Sequence, residues 1–84
     1  MRFSLVKLPS FMRALKRFIR KHPNLAGAVE EVLEQLCIDP FEPSLRLHNL
    51  SGALSGKQAV SVTYAYRIVL CIEIVANAII LYNI

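Results

Sequence analysis

Tryptophan is absent from this 84-residue chain, glycine occurs only three times, and cysteine twice. With 55% of its residues hydrophobic, a disordered or low-complexity class is excluded, and the length suffices for one domain. Cys37 and Cys71 stand far apart in apolar surroundings, with none of the Cys-x-x-Cys or Cys/His spacing that holds zinc. They read as two buried thiols of a reducing compartment, so the cytoplasm is the expected location. The chain carries no P-loop, no Gly-x-Ser-x-Gly, no His-Glu-x-x-His and no nucleophilic Cys/His motif, so neither a metal nor a nucleotide cofactor is expected. Residues 68–84 are the longest apolar stretch. They fall short of the ~20 residues a bilayer core requires. Glu73 and Asn77 interrupt them and Arg67 fronts them, so two buried strands are expected rather than a membrane helix.

Acids are missing from residues 1–21, which hold seven bases (Arg2, Lys7, Arg13, Lys16, Arg17, Arg20 and Lys21). Bases are missing from residues 22–44, which hold five acids (Glu30, Glu31, Glu34, Asp39 and Glu42). The formal net charge of +4 therefore hides a segregated distribution, the pattern expected of a surface that meets a polyanion. The basic, acid-free start also has the character of a transit peptide. A strand followed by an amphipathic helix accounts for more of its residues.

Arg2 to Val6 reads as a first strand, ended by Pro9, with Ser10 as the N-cap of a helix. Phe11, Met12, Leu15, Phe18 and Ile19 recur at helical spacing, which leaves Arg13, Lys16, Arg17, Arg20 and Lys21 on an entirely cationic polar face. His22-Pro23-Asn24 breaks the pattern, and Pro23 or Asn24 starts a second helix with an apolar stripe of Leu25, Val29, Val32, Leu33 and Leu36. Asp39-Pro40 ends it. Beyond this point the period changes to that of strands: 45–50, 59–64, 68–75 and 78–84, with a turn at Ala76-Asn77. The expected fold class is α+β, a helical hairpin packed on one face of a small, mostly antiparallel twisted sheet.

Four kinds of residue carry possible chemistry. His48, in Leu47-His48-Asn49-Leu50-Ser51-Gly52, is either a general base for a ribose hydroxyl or a surface histidine without a role. Arg67 opens the most apolar strand, where its charge must be solvated or paired. It either grips a phosphate bidentately and stabilises a pentacoordinate phosphorus, or forms a salt bridge to Glu73 or to a helix acid. Tyr64 and Tyr66, on one face of a strand by alternation, either stack on bases or pack on the sheet. Lys57, beside Gly56, either reaches a phosphate or is an ordinary solvated lysine.

In this order, the strand, the basic helix Ser10–His22, the second helix, Leu47-His48-Asn49-Leu50-Ser51-Gly52, Leu54-Ser55-Gly56, Val60-Ser61-Val62, Tyr66-Arg67-Ile68-Val69 and the closing Ile79-Ile80-Leu81-Tyr82-Asn83-Ile84 resemble the RelE/YoeB/YafQ/ParE superfamily of bacterial toxins. The resemblance implies the toxin of a toxin–antitoxin system, a metal-independent endoribonuclease that cuts mRNA on the ribosome and is held in check by an antitoxin in a hetero-oligomer. Arg67 matches the family arginine at the scissile phosphate, His48 a histidine of the YafQ-like branch, and the 13–21 face the helix that docks on ribosomal RNA. The resemblance leaves room for a relative that binds antitoxin or ribosomal RNA without cutting, and for a ParE-type gyrase inhibitor. Two departures bear on cleavage. YafQ-like members carry a second histidine where Ser61 stands and an aspartate near Ala65, and the usual tail, a common source of the general acid, would begin after Ile84. Either truncation or loss of cleavage is expected from the latter.

Overall fold

The computed structural model describes residues 2–84. The first strand, β1, runs Ser4–Lys7, and the cationic helix α1 Pro9–Lys21. Ser10 does not cap α1. Pro9 stands in its first turn, where a missing N–H costs nothing and the fixed φ suits the helix. The Ser10 hydroxyl instead donates to the Tyr82 carbonyl at 3.3 Å, tying the helix start to the end of the chain. Arg20 and Lys21 fall in the last turn, where cations complement the helix dipole. A 3-10 turn, Pro23–Leu25, precedes the second helix, so α2 spans Ala26–Ile38, a turn later than the proline suggests. Asp39 closes α2, its carboxylate accepting the Phe41 N–H at 2.9 Å in a local turn.

The remaining strands are β2 (His48–Asn49), β3 (Gln58–Ser61), β4 (Arg67–Glu73) and β5 (Ala78–Asn83). They form one sheet of order β1-β5-β4-β3-β2, with β1 parallel to β5 and every other pairing antiparallel. Two strands are shorter than their alternation suggests. The 45–50 segment contributes only His48–Asn49, because Pro43–Leu45 winds into a 3-10 turn that buries Leu45. β3 stops at Ser61, so residues 62–66 form the loop to β4. Residues 68–84 do split into two strands around a turn, with Asn77 at φ +50°. Among the described residues no helix is long and apolar enough to cross a membrane.

Alternation sorts the sheet into two faces. Val60 and Ile68 are paired, as are Leu70 with Leu81 and Ile72 with Ile79, and this face meets Phe11 of α1 and Leu36 of α2 in the buried core. The hairpin of helices therefore covers one face, as the α+β reading expects. The opposite face carries His48 paired with Ala59, Ala59 with Val69, and Ser61 with Arg67. A register shift between Val69 and Leu70 brings Val69 opposite Asn83 and leaves Tyr82 without a partner across the ladder.

Candidate nucleic-acid interface

His48 and Arg67 reach the same side of the sheet by register alone. His48 lies across from Ala59, and Arg67 lies across from Ser61, two residues further along β3. Two strand spacings and two residue rises place their Cα atoms about 12 Å apart. Both side chains are exposed. An imidazole and a guanidinium therefore project from one sheet face, two strands apart.

The His48 ring is held. Its Nδ1 lies 2.9 Å from the Arg46 carbonyl oxygen. A carbonyl only accepts, so Nδ1 carries the proton, and in the neutral ring Nε2 keeps the lone pair. Arg46 offers that carbonyl from a left-handed backbone, φ +55°, just after the Pro43–Leu45 turn. This arrangement leaves a free nitrogen on His48 to take a proton.

Position removes the ion pairs that the sequence left open for Arg67. Glu73 is at the far end of the same strand, six residues and therefore about 20 Å away. The acids of α2 belong to an element packed on the other face, Glu31 alone among them lining a depression with Ser61. The Arg67 side chain is exposed.

Lys57 is not an ordinary solvated lysine. Its Nζ sits 4.8 Å from the centre of the Tyr82 ring, reaching across β4 on the His48–Arg67 side. Tyr82 was expected only as part of a core strand. The ladder irregularity opposite it is not visible in the sequence.

The two tyrosines do not share a strand face, because both lie in the 62–66 loop. Tyr66 packs inward, edge-on to Phe18 with ring centres 5.0 Å apart and against His22 at 4.8 Å. Its ring is committed to the end of α1 and is no free platform for a base. Tyr64 is fully exposed, at 105% of its reference area.

The five bases of α1 are all exposed, and only one flank of them turns toward the sheet. At about 100° per residue, Lys16 points directly away from the buried Phe11–Ala14–Phe18 line, with Arg20 and then Arg13 beside it. Arg17 and Lys21 continue the same arc round to one flank, into an open depression shared with Phe18, His22, Asn83 and Ile84. That depression lies at the sheet end where β4 starts. Arg67 is not among its lining and projects from the sheet face opposite α1, so the cationic helix and Arg67 do not line one groove.

No protein-family model matches the chain, and no curated protein matches its sequence. Solved structures do match. The RelBE2 toxin–antitoxin complex of Mycobacterium tuberculosis superposes with a TM-score of 0.77 at 19% identity, over 99% of this chain and 95% of that one. A YoeB/ParE toxin of Agrobacterium tumefaciens gives 0.77 at 15% identity, over 96% and 94%. The heterotetrameric YoeB–YefM complex of Staphylococcus aureus gives 0.73 at 17% identity, over 99% and 94%. The chain has the RelE/YoeB toxin fold. At these identities the likeness concerns the fold, and within it His48, Arg67, Lys57 and Tyr82 share the sheet face that the helices leave uncovered.

Proposed function

We propose that this chain is the toxin of a toxin–antitoxin pair and cleaves mRNA on the ribosome without a metal ion. The observation that carries the reading is the joint placement of His48 and Arg67 on one uncovered sheet face, with His48 Nδ1 committed to a carbonyl. In the step it supports, the ribose 2′-oxygen attacks the adjacent phosphorus and its proton passes to His48 Nε2. The guanidinium of Arg67 stabilises the charge on the phosphorane oxygens. The bond from phosphorus to the 5′-oxygen then breaks, leaving a 2′,3′-cyclic phosphate and a 5′-hydroxyl protonated by solvent. Lys57 adds a cation to the same field. Two structural neighbours were solved with antitoxins, which supports an antitoxin partner here, in a cytoplasmic hetero-oligomer.

The test is a reporter mRNA in a translation extract, with cleavage mapped by primer extension. Wild type should cut, and Arg67→Ala should lower the rate by about 100- to 1,000-fold, the usual effect of losing an oxyanion donor. Intact mRNA on programmed ribosomes with purified, folded wild-type protein would overturn the catalytic reading. One observation favours a second reading, binding without cutting. Ser61 lies directly across from Arg67, at the position where YafQ-like toxins carry their second histidine. That reading expects antitoxin binding together with uncut mRNA in the same extract.

A further inference from the structure

An open depression of about 360 Å³ lies beside the candidate catalytic pair and is lined by Ser44, Arg46, Ser61, Val62, Thr63 and Tyr64. Its size falls within the range of small-ligand sites, roughly 300–1,000 Å³. The lining combines one guanidinium, three aliphatic hydroxyls and one phenol ring, with the Glu42 carboxylate held against Ser44. Such a set suits a ligand with an anionic group, several hydrogen-bonding edges and a flat face.

We propose that this depression is a nucleotide subsite of the RNA, holding the residue next to the scissile phosphate. The inference rests on the RNA-cleaving function proposed above. The depression adjoins both catalytic candidates: Ser61 is the cross-strand partner of Arg67, and Arg46 supplies the carbonyl that holds His48. A strand of RNA with its reacting phosphate between His48 and Arg67 therefore delivers its neighbouring nucleotide here.

Four of the six lining residues have distinct tasks. Tyr64, at the tip of the 62–66 loop, offers both ring faces to a base. The Arg46 guanidinium, presented from a strained left-handed backbone, grips the adjoining phosphate. The Thr63 hydroxyl accepts the Ala65 N–H at 3.2 Å, which stiffens the loop and leaves its own proton to donate. The Ser44 hydroxyl donates to the Glu42 carboxylate, which also accepts the Ser44 N–H at 2.8 Å. Its remaining capacity is as an acceptor, suited to an exocyclic amine of a base.

The experiment uses the full chain and a short fluorescent RNA whose riboses are all 2′-O-methylated, so that it binds and cannot be cut. Affinity is measured by anisotropy over a salt series, alongside cleavage of the reporter mRNA. Tyr64→Ala should weaken binding by about 5- to 100-fold, the range for losing one base stack, and Tyr64→Phe should restore it. Arg46→Gly, which keeps the left-handed backbone, should lower the slope of log affinity against log salt by about 0.7, one phosphate contact on a single strand. Wild type that cleaves, with Arg67→Ala inactive and both subsite variants binding normally, overturns the subsite and leaves the function standing. Binding that depends on Tyr64 and Arg46 in a protein that cuts nothing supports the subsite and overturns catalysis. Absence of any binding by wild type overturns the subsite whatever the cleavage result.

Discussion

Arg46 shows how one backbone angle couples two side chains that the sequence presents as unrelated. A left-handed conformation costs a non-glycine residue about 1–2 kcal/mol, and here it aims the Arg46 carbonyl at His48 Nδ1. Glycine adopts the same angle freely but loses more entropy on folding, about 0.5–1 kcal/mol. The relieved strain slightly outweighs the entropy, so Arg46→Gly should leave stability unchanged or raise it by up to about 1 kcal/mol in urea unfolding. Arg46→Val, β-branched at positive φ, should lose more than about 1 kcal/mol. His48 stood out beforehand as a titratable ring beside a glycine turn, with a surface histidine as the other reading. Arg46 was not, since nothing in Leu45-Arg46-Leu47 announces a positive φ in a residue other than glycine. Tyr66 was misread for a related reason: alternation counts neighbours along a chain and does not see Phe18 and His22 waiting at the end of a helix.

At the scale of elements, α1 and the β4–β5 pair were readable from period and β-branching, since their apolar residues face one core. The shortening of β3 was not readable, because Val62 and Tyr64 continue the alternation while the chain has already turned. The cationic face of α1 was also readable, but its division was not, because only packing decides which flank of a helix meets a sheet end. The division makes a prediction. With Arg17→Gln and Lys21→Gln together, binding of single-stranded RNA should lose about 1.4 from its salt slope, two phosphate contacts at about 0.7 each. Arg13→Gln with Arg20→Gln, on the side away from the sheet, should leave the slope nearly unchanged. Anisotropy titrations of both pairs over one salt series give the comparison, and equal slopes would place the RNA across the outer helix surface instead.

The whole molecule has two unlike ends, and the pairing of the chain's first and last strands produces them. The Phe3 N–H donates to the Cys37 carbonyl and the Ser4 N–H to the Asn77 carbonyl, both at 2.8 Å. These bonds gather the start of β1, the end of α2 and the β4–β5 turn at one end, about 20 Å along β4 from Arg67. No local pattern in the sequence shows that the first strand joins the last in parallel, because strand adjacency is a property of the folded sheet. Ile38, Phe41, Ile74 and Val75 are exposed around this end, Val75 completely at 102%. Val75 buries almost nothing and Ile74 is more than half exposed, so changing this pair forfeits little of the hydrophobic stabilisation, about 25 cal/mol per Å² buried. They do present apolar surface from which a second molecule gains burial. Ile74→Thr with Val75→Ser should therefore keep stability within about 0.5 kcal/mol of wild type while lowering light scattering in concentrated solution. Because the turn lies at the far end of β4, the same double variant should bind 2′-O-methylated RNA with unchanged affinity. A loss of RNA binding from this pair would mean that the two ends do not work independently, and that the nucleic acid runs the full length of the sheet.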